Sequence, residues 1–328
     1  MHHKLFCQNA IPLPKAICRV FGEMHCATMS PMPQTRWTSL PAYSVIAVTG
    51  RDARSFLQGQ VTNDLLGVER HPGLLAAACN REGRVLEILR LAADREGVLI
   101  IVRRALARAL IARLSKYVLR AEVALADRSD AQQVAGLLDA EPDPSWRPAA
   151  VAAAGLTMMV AGPRRILLAG SQVALDAVLT GVSRTTPGAW DRASIEDGEP
   201  TVVAETAGLW VPQMLNLDLL AAISFTKGCY VGQEIVARTE HLGRIRRRML
   251  RYTGPAGTAV KAGQTLYCGE SLAAQVVAAS GDAQGTQLLA VVALRFRADL
   301  LGVAPGGSGL VPADLPYAVT APEVEADA

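Results

Sequence analysis

The sequence predicts an α+β protein with a body of two related sub-domains and a small β-barrel at its C-terminal end. In the first half, a strand, a helix, a hairpin, a third strand and a second helix follow one another, which favours an α+β layer over alternating βα units. After about residue 150 the chain again shows paired strands followed by a helix. Beyond Arg244, short strands separated by glycines are typical of a small barrel or sandwich.

The elements of the first half are marked by their residue patterns. YSVIAVTG, beginning at Tyr43, is typical of a strand, and RDARSFLQGQVTNDL predicts a helix with Asp52 at its N-cap. A hairpin and a further strand are predicted over LLAAACN, VLEILRLAA and GVLIIV. Leu106, Leu110 and Leu114 then recur at helical spacing, so the segment RRALARALIARLSKYVL is predicted to be a helix.

A proline-rich segment, EPDPSWRPAA, divides the predicted body. Behind it, LTMMVAG and RRILLAG predict paired strands, and SQVALDAVLTG predicts a helix that ends at Gly181. Four regions are predicted: an N-terminal extension (1–39), an α+β body (40–240), a β-barrel (241–320) and a tail (321–328). The extension is expected to be disordered or to result from a misassigned start codon. The body is expected to have a sub-domain break near 141–150, and its sub-domains can be discontinuous in sequence.

Composition narrows the class of protein. Half of the 328 residues are hydrophobic and the net charge is +3, which describes a globular chain and does not demand a polyanionic partner. The apolar runs are far shorter than the ~20 residues that cross a bilayer, so no membrane span is predicted. The six cysteines form no CxxC pair, which favours a reduced, cytoplasmic location.

Cys229, in the stretch KGCYVGQE, is the residue that most invites a chemical interpretation. It precedes a predicted short helix that begins near Gly232, and the positive end of that helix together with Lys227 would favour a thiolate. A buried, inert cysteine is the ordinary alternative. A metal site is a further alternative, but His241 is the one additional ligand nearby, so no metal is predicted.

Three blocks of sequence resemble one known family. KGCYVGQE is similar to the K-G-C-[FY]-x-G-Q-E motif of the YgfZ family of folate-binding proteins, which are relatives of the aminomethyltransferase (T protein) of the glycine cleavage system. VTGRDARSFLQGQVTNDL and VPQMLNLDLLAAISFTKGC resemble two further blocks of that family in the same order. The resemblance covers roughly residues 40–320, including the C-terminal LPYAV.

The resemblance implies a T-protein-like fold and a set of site residues. It implies tetrahydrofolate as the cofactor, with Tyr43 and Trp190 as aromatic contacts and Glu196 as the carboxylate toward the pterin. It also implies that Cys229 is the functional thiol and that Lys227 is its electrostatic partner.

The resemblance further implies a role in the assembly or repair of iron–sulfur enzymes, which would be the client proteins, and thereby in tRNA modification. We expect the protein to be a monomer. Where T proteins carry an aspartate pair, this sequence has Glu87 beside Ile88, so we expect that the parent transfer chemistry is lost and that the protein is not a classical enzyme. The main alternative is a tetrahydrofolate-dependent aminomethyl or methyl transferase or demethylase, with Cys229 as nucleophile or acid.

A third hypothesis is an RNA-associated scaffold led by the basic run RIRRRMLR at 244–251. As a strand, this run would place Arg244, Arg246 and Arg248 on one face. A solvated surface is the ordinary interpretation of such a face, and a folate polyglutamate tail is a further alternative. No RNA-binding motif or interleaved aromatic residue accompanies it. We therefore expect no direct binding to nucleic acid.

Overall fold

The structure is a computed structural model that describes residues 35–140, 155–242 and 245–319. The strands in these residues are β1 (Arg36–Ser39), β2 (Tyr43–Thr49), β3 (Leu74–Cys79), β4 (Val85–Asp94), β5 (Gly97–Arg103), β6 (Ala124–Asp127), β7 (Gln133–Leu138), β8 (Leu156–Gly162), β9 (Arg165–Gly170), β10 (Ser183–Arg184), β11 (Arg247–Gly254), β12 (Thr265–Cys268), β13 (Ser271–Asp282), β14 (Gly285–Ala293) and β15 (Val311–Ala313).

Helices connect these strands. The α-helices are α1 (Ala53–Gln58), α2 (Arg104–Val118), α3 (Gln172–Leu179), α4 (Pro187–Glu196) and α5 (Gln233–Leu242), and short 3-10 turns lie at Val68–Arg70, Pro212–Leu215 and Leu294–Phe296. None of the helices in the described ranges has the length and apolar character that a membrane crossing requires.

The N-terminal sheet is antiparallel, with the strand order β3-β4-β5-β2-β6. Leu57 of α1 and Leu110 of α2 are buried in one core cluster with Ile46 and Leu89 of the sheet, because the buried residues of each helix lie on a single face. The predicted first strand, hairpin, third strand and second helix are confirmed.

Helix α1 is shorter than predicted, and its cap is different. It ends at Gln58, where Gly59 opens a loop instead of continuing the helix through residue 65. Asp52 stands at the N-cap position, but its side chain makes no cap hydrogen bond; its Oδ2 accepts a hydrogen bond of 2.9 Å from the Glu122 main-chain N–H. The carboxylate therefore ties the helix start to the loop before β6 rather than to the helix itself.

The middle sheet has the order β10-β1-β7-β9-β8 and is assembled from separated parts of the chain. The chain leaves this sheet after β1, builds the N-terminal sheet, and returns at β7, so it changes sheet between Asp127 and Gln133 rather than at 141–150. The proline-rich segment itself lies outside the described residues. The actual crossing has no proline or glycine; Asp127 Oδ1 accepts a hydrogen bond of 2.9 Å from the Ser129 N–H, a polar turn that the pattern did not reveal.

Strand β1 also lies inside the segment that the sequence assigned to the N-terminal extension. It pairs with β7 and β10 over Arg36–Ser39, so the folded body includes these residues. The remainder of the predicted extension, residues 1–34, lies outside the described part of the chain, as do 320–328 of the predicted tail.

The C-terminal sheet, of order β12-β13-β14-β11-β15, forms the predicted small β domain. Its two edges are connected through isolated bridges, Tyr267 with Gly302 and Leu301 with Leu310, which close the sheet into a barrel. Its core is apolar, with Tyr252 fully buried inside it.

The block VPQMLNLDLLAAISFTKGC docks this barrel onto the body. Asn216 Nδ2 donates to the Met249 carbonyl at 2.7 Å, and the Asp218 carboxylate holds Arg248 in two contacts of 2.7 and 2.8 Å. Arg248 is buried, which corrects the expectation of a solvated face; Arg246 and Arg247 are exposed. The arginine run is therefore partly structural, because one of its members neutralises a carboxylate at the docking surface.

Candidate functional site

The block VTGRDARSFLQGQVTNDL and the motif KGCYVGQE meet in space. We call this the motif junction and define it as residues 58–64, which follow α1, together with residues 222–231, which lead into α5. Its hydrogen bonds are Ser224 N to Thr62 O (3.0 Å), Thr62 Oγ1 to Ala222 O (2.7 Å), Asn63 Nδ2 to Ala221 O (2.8 Å) at its margin, and Val231 N to Gly59 O (3.3 Å). Two stretches about 160 residues apart in sequence thus form one surface.

Cys229 is exposed in this junction, four residues before the first residue of α5. The predicted helix after Gly232 is confirmed at Gln233–Leu242. Gly232 has a φ of +84°, and an added Cβ there would lie 2.5 Å from the Asn80 carbonyl oxygen, so the turn that presents Cys229 requires glycine. Gly228 faces open space, and nothing in the structure explains a glycine there. Among the described residues, no cluster of acidic, histidine and cysteine side chains is arranged to hold a metal ion.

Lys227 is buried in the junction, and its ammonium contacts main chain. Nζ donates to the carbonyls of Gln58, Val61 and Asn63, each at 2.7 Å, which uses all three donors of an ammonium group. Burial lowers the lysine pKa to about 8, against the opposing charge of Asp64. No donor remains for a hydrogen bond to the Cys229 thiol, so the predicted partnership between the two side chains would have to act through charge alone.

The two predicted aromatic contacts lie together. Tyr43, on β2, packs against the same core cluster as Trp190, which is 1% exposed on α4. A Cβ added to Gly136 of β7 would overlap the Trp190 ring, so this strand must carry glycine for the indole to pack. Guanidinium groups cover both rings: Arg103 lies 4.5 Å from the centroid of Tyr43 and Arg165 lies 5.0 Å from that of Trp190. Each ring thus already has a guanidinium group over it.

A cleft of about 320 Å³ opens between the N-terminal and middle sheets, beside Arg165. Its apolar walls are formed by Pro72, Leu75, Val160, Pro163 and Leu220. The cleft adjoins the motif junction, because Asn63 Nδ2 also donates to the Leu75 carbonyl at 2.8 Å.

Four charged side chains form one edge of this cleft; we call them the charged edge. Arg165 contacts Asp197 at 2.5 Å and Glu199 at 2.6 Å, and Arg90 contacts Glu199 at 2.8 Å. Burial pushes the pKa of Glu199 upward, but Arg90 and Arg165 together outweigh it and the pKa is lowered. Asp197 faces a single arginine, and burial raises its pKa despite Arg165. The charged edge therefore retains negative charge on Glu199 in an apolar surrounding.

Glu196 lies apart from the cleft. Its Oε1 accepts a hydrogen bond of 2.8 Å from Gln287 of the barrel and lies 3.4 Å from Arg192, one helical turn earlier. The structure thus brings Tyr43 and Trp190 together near the cleft, while Glu196 faces the barrel and its neighbours Asp197 and Glu199 line the cleft. The sequence signal that was missed is a charge inside an apolar strand: Arg90 in VLEILRLAA and Arg165 in RRILLAG.

The chain is 28% identical over 235 residues to tRNA-modifying protein YgfZ of Colwellia psychrerythraea, an alignment that covers 68% of this chain and 72% of the relative. The resemblance to YgfZ proteins is confirmed. No family model matches the chain.

A second similarity concerns the fold. A crystal structure of glycine cleavage system aminomethyltransferase T from Bartonella henselae superposes with a TM-score of 0.66 at 15% identity, covering 86% of each chain. This confirms the predicted T-protein-like α+β fold with a small C-terminal β domain. At that identity the likeness concerns the fold and not the chemistry, so the chemistry of the site follows only from the residues of this chain.

Proposed function

We propose that this chain is a folate-binding protein that supports the assembly or repair of iron–sulfur enzymes and thereby tRNA modification, with tetrahydrofolate as its cofactor. The observation that carries the proposal is the cleft between the first two sheets, in which apolar walls meet the charged edge. The similarity to a tRNA-modifying protein and to the fold of an aminomethyltransferase supports the same role.

The cleft residues fit a pterin. A pterin ring is flat, with apolar faces and a row of N–H donors beside a carbonyl acceptor. Leu75 and Leu220 can cover the faces, and the carboxylates of Asp197 and Glu199 can accept the N–H groups. Arg90 Nε is buried and has no hydrogen-bond partner among the described residues, so it is a donor available for the carbonyl. When bound, tetrahydrofolate would supply a one-carbon carrier, and these residues would orient it.

The proposal assigns the functional thiol to Cys229 rather than to Cys79. Cys79 is 1% exposed on β3, and burial raises its pKa to about 12, so it stays protonated and inert. Cys229 is exposed, follows a lysine anchored in the protein, and precedes a helix N-terminus. A client enzyme or a small electrophile can therefore reach it.

Calorimetric titration with tetrahydrofolate under anaerobic conditions tests the cleft. We expect stoichiometric binding by the wild type and loss of binding in Leu220→Trp, because the larger ring fills the cleft. Leu219→Trp is the matched control, since Leu219 is the exposed neighbour in sequence and does not line the cleft. Equal binding by both variants would place folate elsewhere, and no binding by the wild type would refute the folate role.

Complementation tests the thiol. In a host without its own copy, the wild type is expected to restore an iron–sulfur-dependent tRNA methylthiolation, while Cys229→Ala is not and Cys79→Ala is. The exposure of Cys229 also favours the alternative of a one-carbon transferase. Turnover of tetrahydrofolate by the purified protein with a methylamine donor would support that alternative, and binding without turnover would support the maintenance role.

A further inference from the structure

The buried ammonium of Lys227 has an unusual set of partners. Its three hydrogen bonds all go to main-chain carbonyls of one short loop, those of Gln58, Val61 and Asn63. No carboxylate lies within salt-bridge distance of it among the described residues. The nearby carboxylate of Asp64 is instead engaged by the side chain of Gln58 at 2.9 Å and by the Leu66 N–H at 2.8 Å.

Three carbonyl oxygens that converge on one point repel one another and need a cation or several donors between them. The loop after α1 therefore depends on a positive charge supplied from a segment about 165 residues later in sequence. The three N–H donors of the lysine ammonium match the three converging carbonyl oxygens one to one.

The same contact fixes the segment that carries Cys229. The Cys229 main chain lies against this loop, since a Cβ added to Gly59 would lie 4.0 Å from the Cys229 carbonyl oxygen. The hydrogen bond from Val231 N to Gly59 O closes the far side, so Cys229 is held between two points of attachment, Lys227 and Val231. The Tyr230 ring, 5.2 Å from the ammonium, adds a cation–π contact.

We infer that Lys227 is a positioning residue: an internal cation that fastens the Cys229 segment to the loop formed by residues 58–63, and not an acid, a base or a hydrogen-bond partner of the thiol. The inference rests on the proposed function only in treating Cys229 as the functional thiol. Loss of the ammonium leaves three carbonyls without a donor, and the two segments of the motif junction then separate more readily.

Hydrogen exchange measured on the ligand-free protein by mass spectrometry tests the inference. In Lys227→Ala and Lys227→Met, peptides that cover residues 58–64 and 222–231 are expected to exchange about tenfold faster or more, while peptides from β13 and β14 are unchanged. Lys116→Ala, which removes an exposed lysine of α2, is the matched control and should exchange like the wild type.

Chemical rescue separates hydrogen-bond donation by a cation from packing of the lysine stem. Ethylammonium, which carries three N–H donors, should restore slow exchange to Lys227→Ala, whereas tetramethylammonium at the same concentration should not, because it has the charge without the donors. Should Lys227→Ala fail to fold, the same pair of salts is compared for restoration of a cooperative thermal transition. Unchanged exchange in both variants, or equal rescue by the two salts, would overturn the inference.

These measurements need neither folate nor an activity. Failed complementation by the wild type, together with the expected faster exchange in the Lys227 variants, would thus count against the proposed function alone. Unchanged exchange in those variants, together with successful complementation, would count against the positioning role of Lys227 alone.

Discussion

Strand β4 has a charged cluster on each of its two faces, and the two clusters differ in how many arginines meet each carboxylate. On the face toward α2, Glu87 is paired with Arg113 alone, at 2.5 Å. On the face toward the cleft, Arg90 shares Glu199 with Arg165. The two positions on the strand are three residues apart, so they alternate across the sheet as strand geometry requires.

The difference in partners reverses the direction of the pKa shift. Burial raises the pKa of Glu87, and Arg113 does not compensate for it. For Glu199, burial acts in the same direction, but two arginines outweigh it and the pKa is lowered. A single guanidinium therefore does not offset the desolvation of a carboxylate here, while two do. The α2 face consequently holds a carboxylate whose pKa is raised, and the cleft face holds one whose lowered pKa favours the charged form toward a ligand.

The largest effect on stability is expected from removing Arg165, the arginine that contacts both carboxylates of the charged edge. Arg165→Met leaves Asp197 and Glu199 short of a counter-ion and exposes no compensating donor, so we expect the free energy of unfolding to fall by about 3–5 kcal/mol. Urea unfolding followed by circular dichroism measures this loss. Arg164→Met is the control, because its contact to Asp139 is 3.6 Å long and half exposed; a similar loss in both variants would contradict the central role of Arg165.

The clusters on β4 show where sequence reasoning stops. The strands and helices of the body follow from local periodicity, and YSVIAVTG, the hairpin and RRALARALIARLSKYVL were predicted correctly. Whether Glu87 and Arg90 find partners depends on residues 26 and 109 positions away, which no local pattern contains. The change of sheet at residues 128–132 was not predicted for a related reason, because a turn held by a polar side chain has no proline or glycine to mark it.

The placement of the selected site residues followed only partly from the sequence. Sequence reasoning selected Cys229, Lys227, Tyr43, Trp190 and Glu196; the structure brings the first four together in two pairs and places Glu196 against the barrel. It could not show that the Lys227 donors are used by main-chain carbonyls, since carbonyl positions follow from the fold and not from residue identity. Their roles toward folate and thiol chemistry stay predictions.

A smaller effect sharpens the comparison through pH. Because the pKa of Glu199 is lowered, its contribution to stability is present above the ordinary value of 4.5 and is lost as the pH falls through the lowered pKa. Because the pKa of Glu87 is raised, its contribution is complete below 4.5 and is lost as the pH rises through the raised pKa. The stability advantage of the wild type over Glu199→Gln should therefore shrink on acidification, while its advantage over Glu87→Gln should shrink on raising the pH. Urea midpoints between about pH 2 and pH 8 measure both slopes, because the Glu199 contribution is lost only below its ordinary pKa; slopes of the same sign would show that the number of arginines does not decide the shift.

The smallest effect on stability is expected for an ion pair of the same type that is exposed to solvent. Arg51 contacts Glu122 at 3.0 Å, with side chains 76% and 63% exposed, so solvent already stabilises each charge before the pair forms. Arg51→Ala should change the free energy of unfolding by no more than about 0.5 kcal/mol, and added salt should reduce even that difference. Urea unfolding at low and high ionic strength measures it beside Arg165→Met. A loss near that of Arg165→Met would mean that the number of ion-pair contacts, and not their burial, governs stability in this protein, because exposure is the main difference between the two arginines.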